Sequence, residues 1–398
     1  MNGWSNVLIS YVVDFNPDNV GRNYPHSEIF YLDISSVGSG FADYGEPISL
    51  KDAPSRAKRI VGVGDTIVAT VRPGNRSFYF FKELPGNTIV STGFAVLRPI
   101  NRFIDSRFLY HLISDPKFTA FLVANEQGAN YPAVTSEVIG RYETYLPPIS
   151  TQRKIASILS AYDDLIENNL RRIKLLEEVA RRTYEEWFVK LKVKSEKLKV
   201  DKRTGLPEGW ERRKLVEVAN LTMGQSPKSE YYNKEGNGLP FHQGVSDYGF
   251  RFPENAIWST QGNRFAFKGD ILFSVRAPVG RINMAKEKII LGRGLAAINH
   301  RQGYTSFLFY QLQSMFFEED MMGGGAIFNS VTKNDIERIE LVCPSPDFLR
   351  EFNRISAQID EQIENLTYQN ARLKESRDLL LPRLMSGVME VKKQTNNW

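Results

Sequence analysis

Between Ile149 and Trp187 the chain places Ile155, Leu159, Tyr162, Ile166, Asn169, Ile173, Leu176, Ala180, Thr183 and Trp187 at alternating intervals of four and three. The positions between them are largely charged, among them Asp163, Asp164, Glu167, Arg171, Arg172, Glu177, Glu178, Arg181 and Arg182. The stretch holds no glycine and no proline. A narrow apolar seam with wet flanks over about five heptads predicts a helix packed along one partner helix rather than a buried core helix. The partner lies 197 residues on, at Phe352, Ser356, Ile359, Ile363, Leu366, Asn370, Leu373, Arg377, Leu380 and Leu384. Local identity supports that shift: Asp163 meets Asp360, and Ile166-Glu167-Asn168 meets Ile363-Glu364-Asn365.

Each seam carries one amide, Asn169 in an a-type position and Asn370 in a d-type position. Antiparallel coiled coils set a opposite d. If the two amides meet, Ile155 faces Leu384, Tyr162 faces Arg377, Ile173 faces Leu366, Leu176 faces Ile363 and Trp187 faces Phe352. A facing amide supplies the hydrogen bonds that a lone buried amide would lack, at about 1–3 kcal/mol, and such a polar layer fixes register.

The regions before the two helices read as mixed α and β. In the first, strand-like runs cover Ile67 to Val71, Ser77 to Phe81 and Thr88 to Leu97. Ser106 to Asn125 reads as helical, with Pro116 as an interruption. The second region repeats the order. Gly209-Trp210 answers Gly3-Trp4, Gly269-Asp270 answers Gly64-Asp65, and Val275-Arg276 answers Val71-Arg72. Leu308 to Leu312 answers Phe108 to Leu112, and Gly325-Ala326 and Val331-Thr332 answer Gly128-Ala129 and Val134-Thr135. The offset drifts from 206 to 197, as small loop deletions would make it. The chain is thus a duplicated domain plus helix, of class α+β. The first domain is residues 1–147, followed by a long helix and linker over 148–205. The second domain is 206–344, followed by a long helix and tail over 345–398. An antiparallel helix pair makes the object pseudo-twofold and separates the domains by the helix length, roughly 50 Å for about 33 overlapping residues. Half-sites on one face of B-DNA lie about 34–36 Å apart per turn, so a rod of this size can hold two reading heads on one duplex.

Composition changes little in this picture. The chain has 398 residues, 42% hydrophobic and 24% charged, as an ordinary globular protein does. No apolar run reaches membrane-spanning length, the N-terminus lacks a signal-like pattern, and the lone Cys343 excludes an intramolecular disulfide framework, so a cytoplasmic location is expected. The net charge of +5 is fully accounted for by Val189 to Arg203, which has seven basic and two acidic residues. Any basic face elsewhere must come from spatial arrangement.

Catalytic equipment is missing from the sequence. Gly323-Gly324-Gly325 is not followed by Lys-Ser or Lys-Thr, and Leu146-Pro147-Pro148-Ile149 lacks the Asn and aromatic residue of an adenine-methyltransferase tetrad. His26, His111, His242 and His300 are scattered without metal-ligand spacing and are expected to be surface or satisfied polar residues. Asp105 with Asp115-Pro116-Lys117 has the acid–acid–lysine look of a metal-dependent nuclease, though it falls in a helical stretch. The turn-rich polar segments are more informative. Those of the first domain carry Asp33, Ser35, Arg72, Asn75, Arg76, Asn130 and Tyr131. Those of the second carry Gln225, Lys228, Gln243, Ser246, Arg276, Arg281, Asn329 and Lys333. Arg reads guanine bidentately, and Asn and Gln read adenine. Ordinary solvated loops share this composition. The telling feature is that the loops differ between halves while the frames agree, as two heads reading two half-sites would.

Four segments carry a family resemblance. They are Leu146-Pro147-Pro148-Ile149 with Gln152-Arg153-Lys154-Ile155, Glu185-Glu186-Trp187-Phe188, Leu206-Pro207-Glu208-Gly209-Trp210-Glu211, and Leu381-Pro382-Arg383-Leu384-Met385-Ser386-Gly387. With the duplication they resemble the DNA specificity subunits of type I restriction–modification systems over the full length. The opening of the second helix, Pro346 to Phe352, departs by lacking the Gln-Arg-Lys-Ile form. The resemblance implies a non-catalytic, cofactor-free subunit with two target-recognition domains reading a split double-stranded target. It also implies two modification subunits that bind S-adenosylmethionine, and restriction subunits that use ATP and Mg²⁺. Competing readings are a stand-alone metal-dependent nuclease and a coiled-coil adaptor that binds only protein.

Overall fold

The structure is a computed structural model, and it describes residues 3–128, 130–193, 196–316, 321–322, 326–327 and 330–391. The chain forms two compact units. One comprises Met1–Asn168 with Asn370–Trp398, the other Asn169–Gln369. The division falls inside both long helices, so each unit holds one domain and a segment of each helix.

In the first unit a four-stranded antiparallel sheet runs in the order Val13–Phe15, Phe94–Pro99, Thr66–Ala69, Phe78–Phe80. A five-stranded sheet contains Ala57–Ile60, Thr88–Ser91, Glu28–Leu32 and Ile48–Ser49, with Glu28–Leu32 parallel to Thr88–Ser91. The second unit repeats both. Its four-stranded sheet is Ala219–Met223, Leu295–His300, Ile271–Ser274, Ile282–Met284. Its five-stranded sheet again has one parallel pair, Leu239–His242 with Ile289–Leu291. The drifting offset is visible in the strands that close each domain. Ser5–Leu8 pairs with Glu143–Leu146, and Glu211–Lys214 pairs with Glu340–Cys343.

The repeated Gly-Asp is a turn. Gly64 and Gly269 have φ of +91° and +88°, which a β-carbon disfavours. The carboxylate of Asp65 accepts from the Gly62 amide at 2.7 Å, and that of Asp270 accepts from the Phe267 amide at 2.8 Å. Both are buried and take a second partner from the neighbouring strand: Arg98 for Asp65, at 2.9 Å, and Asn299 for Asp270, at 3.0 Å.

Two local expectations change and a third holds. The run Thr88 to Leu97 is two strands in two different sheets, Thr88–Ser91 and Phe94–Pro99, because Thr92-Gly93 turns the chain between them. Val275-Arg276 answers Thr70-Val71 rather than Val71-Arg72. The Thr70 amide donates to Gly93 O at 2.8 Å, just as the Val275 amide donates to Gly294 O at 2.9 Å. The helical stretch from Ser106 splits at Pro116 as expected, into Ser106–Ser114 and Pro116–Ala124. Proline sits there at the first helical position, where its missing amide hydrogen costs nothing.

The first long helix spans Ile149–Tyr184 and ends in a π-helical turn, Glu185–Val189, that carries Trp187. The second spans Pro346–Met385 without interruption, so its atypical opening does not delay it. Seam residues Ile155, Leu159, Ile166, Asn169, Ile173, Ala180, Phe352, Ser356, Ile359, Ile363, Leu366, Asn370 and Leu384 are buried, while Tyr162, Leu176, Trp187, Leu373 and Leu380 are half-buried. In the second unit Trp187 and Phe352 make an edge contact at 6.1 Å, as the antiparallel register requires. In the first, Ile155, Leu159, Leu381 and Leu384 share one core with Phe108, Leu112 and Ile139 of the domain. The flanks are therefore not wet throughout. Gln152, Ala156, Ser160, Tyr184 and Phe188 are also buried, because the domains pack on the helices from outside the seam. Asn370 gives its amide to the carbonyl of Ile166 at 3.3 Å.

The histidines are polar residues with structural surroundings. His111 is buried, with Nε2 3.1 Å from Ser160 Oγ. His242 is buried between Asp247, at 3.3 Å, and Asn255, at 3.2 Å. His300 is half-buried and His26 exposed.

Candidate nucleic-acid interface

In the first domain the strand Thr66–Ala69 leads into a loop that is stitched to a second loop. The amide of Val134 donates to Thr70 O at 2.8 Å, and that of Arg72 donates to Pro132 O at 2.7 Å. Arg72 and Arg76 flank a 3-10 turn, Pro73–Asn75, and both hold the left-handed conformation, with φ of 50° and 57°. Such residues persist only where surrounding contacts over-determine them. The two arginines then diverge. Arg76 Nη2 donates to Ser114 O at 2.7 Å, and its guanidinium lies over Phe78 at 5.9 Å, so it fastens the loop. Arg72 is exposed, with its guanidinium 5.5 Å from the ring centre of Tyr131. Asn75 and Asn130 are exposed beside them. Asp33 is occupied locally. Its carboxylate accepts from the amides of Ser35 and Ser36 at 2.9 and 3.0 Å and from the Ser35 hydroxyl at 2.7 Å. Burial raises its pKa, but these bonds outweigh burial and hold it below the usual carboxylate range.

In the second domain three backbone segments approach closely. A β-carbon on Gly224 would lie 2.1 Å from Gly292 O, and one on Gly292 would lie 2.6 Å from Gln243 Cα. Glycine is therefore obligatory at this crossing. The Gln225 amide donates to Leu291 O at 2.9 Å. The Ser226 hydroxyl donates to Gln243 Oε1 at 2.9 Å and accepts from the Arg293 amide at 3.1 Å. Gln225, Gln243 and Arg293 thus come from three segments to one place. Arg293 is exposed and went unnoticed in the sequence, where only the glycines on either side of it hint at a tight approach. Lys228 is exposed with Glu230 3.8 Å away. Ser246 donates to Asp247 at 3.1 Å, and Lys333 pairs with Glu337 at 3.3 Å. Arg276 and Arg281 are exposed on the next turn, where the backbone at Arg276 bridges Ser330. Asn329 lies outside the described residues, as do Ala129 and Gly323 to Gly325. The candidates therefore fall in more than one loop cluster per domain, and the most tightly engaged, Asp33, Arg76 and Gln243, are partly spent on holding the loops.

The nuclease-like acids have structural work. Asp105 accepts from the amides of Arg107 and Phe108, and Asp115 from that of Lys117, each as the cap of a helix. These are the donors that a helix start leaves unpaired. Among the described residues no group of three His, Cys, Asp or Glu is placed to hold a metal ion.

The type I restriction modification DNA specificity domain family matches this sequence twice, over residues 30–178 and 207–374. The chain belongs to that family. The two matches follow the duplication, and the specificity subunit is not the catalytic component of such systems. The putative MjaX specificity subunit of Methanocaldococcus jannaschii is 29% identical over 387 residues, covering 95% of this chain and 89% of that protein. The HsdS subunit from Thermoanaerobacter tengcongensis is 31% identical, covers 98% of each chain, and superposes with a TM-score of 0.41. The S subunit from M. genitalium is 16% identical, covers 96% of each chain and gives a TM-score of 0.55, a likeness of fold. Neither competing reading, nuclease or protein-only adaptor, has support among these relatives. Among the described residues no helix of this specificity subunit is long and apolar enough to cross a membrane.

Proposed function

We propose that this specificity subunit reads a split double-stranded DNA target, one half-site per domain, and brings two modification subunits to it, with restriction subunits in the full complex. The observation that carries this reading is the pair of domains with one sheet frame and unlike loops. Arg72, Asn75, Asn130 and Tyr131 are offered to one half-site. Gln225, Lys228, Gln243, Arg276 and Arg281 are offered to the other, with Ser35 at the margin of the first set and Ser246 and Lys333 at the margin of the second. The chain itself needs no cofactor; S-adenosylmethionine, ATP and Mg²⁺ serve the partner subunits, and the complex works in the cytoplasm. The test is to co-express the chain with its modification subunit and map methylated adenines. Two short defined sequences around a spacer of arbitrary bases are expected. An uninterrupted target, or methylation without sequence preference, contradicts the reading.

A further inference from the structure

The two arginines at the ends of the Pro73–Asn75 turn share a backbone conformation but not a role. Arg76 is half-buried and bonded to the Ser114 carbonyl. Arg72 is exposed, its amide is fixed to Pro132 O, and its guanidinium lies over Tyr131, a ring that is 72% exposed. The Tyr131 turn is itself tight, because Gly128 has φ of +97° and a β-carbon there would lie 2.9 Å from the Tyr131 carbonyl. Two loops are thus braced against each other to present one cation on one ring. Resting on the reading of this domain as a DNA-recognition domain, we propose that Arg72, held over Tyr131, reads the guanine of a G·C pair in the first half-site.

The chemistry follows from where each group bonds. A cation over an aromatic ring is held by the ring's face and not by hydrogen bonds, so the edge donors of the guanidinium stay available. That edge matches O6 and N7 of guanine in the major groove, the two acceptors no other base presents together. The ring limits the rotation of the side chain, so less freedom is lost when both bonds form. A phosphate contact needs no such bracing. The second domain does not copy the device. At the equivalent backbone bridge Arg276 stands where Val71 stands, Val71 bridging Ala133 as Arg276 bridges Ser330. The proposal is therefore specific to the first half-site.

The test uses the full chain assembled with its modification subunit, after the target has been mapped. Binding competition is measured on duplexes in which each position of the first half-site is changed in turn. The wild type is expected to prefer G·C at one position by roughly 10- to 100-fold. Arg72→Ala should erase that preference and leave the rest of the site intact, Arg72→Lys and Tyr131→Ala should weaken it, and Tyr131→Phe should keep it. If Arg72→Ala lowers affinity equally for every base, Arg72 touches phosphate and the proposal fails. A first half-site with no G·C pair also overturns it. A wild-type complex with no base preference anywhere in that half-site would instead overturn the function proposed above.

Discussion

Arg377 on the second long helix places Nη1 2.6 Å from Oδ1 of Asp163 on the first, and both side chains are largely withdrawn from water. The pair joins the helices within the first unit, one position from the Tyr162–Arg377 contact that the seam predicts. Arg377→Met leaves a buried carboxylate uncompensated and should destabilise this unit by about 3 kcal/mol. Arg377→Met combined with Asp163→Leu should recover most of that loss. Calorimetric melting of the four members of the cycle checks this, and additive losses would show that the two side chains act separately.

His111 lies beside that pair. Burial, reinforced by Arg377 and Arg107, pushes its pKa down from 6.5 to about 3. The unfolded chain therefore takes up a proton below pH 6.5 that the folded chain refuses. The stability linked to His111 is intact above 6.5 and is lost as pH falls toward 3, by up to about 1.4 kcal/mol per pH unit. Asp163 acts in the opposite sense just above pH 3.8, since burial raises its pKa although Arg377 opposes this. His111→Asn should flatten the fall in melting temperature between pH 6.5 and 5. An unchanged slope would mean that the imidazole is protonated in the fold.

Arg251 is the corresponding anchor of the second unit. Its Nη1 lies 3.0 Å from Glu177 and its Nη2 2.5 Å from Asp360, one acid from each long helix, and its guanidinium lies 3.7 Å from the ring centre of Phe309. The side chain is almost fully buried. Arg251→Met should cost about 3–5 kcal/mol, because two carboxylates lose their cation at once. A melting temperature within a degree or two of wild type would remove Arg251 from the account.

These anchors mark the edge of what the sequence could tell. The heptad seam and the duplication were legible because each repeats, and repetition averages over local accident. Asp163 and Asp360 aligned in the sequence, but nothing there gave one of them Arg377 and the other Arg251, which are contacts between residues far apart in the chain. Arg251 reads as one more loop charge until Tyr310, Phe309 and the helices close around it. The split at Thr92-Gly93 was hidden because both strands are apolar throughout, and periodicity does not mark a turn between two buried strands. The slip at Arg276 came from a shared Val-Arg that the hydrogen-bond register does not respect. The candidate loops were legible as loops; which arginine is tied down and which is offered was not, since Arg72 and Arg76 differ only in what they touch.

The long helices should set the spacer. A heptad inserted after Asn168 and another after Gln369 add roughly 10 Å and keep the seam in phase. The tolerated spacer should grow by about three base pairs, with both half-sites unchanged. A complex that stays active on the original spacer alone would contradict a ruler role.

Independent reading by the two domains is the claim on which the account rests. Replacing residues 1–147 with the first domain of another family member, and mapping methylated adenines in cells that also carry the modification subunit, tests it most directly. One half-site should change and the other should stay as it was. A change in both half-sites, or loss of modification across several such exchanges in folded complexes, would contradict it.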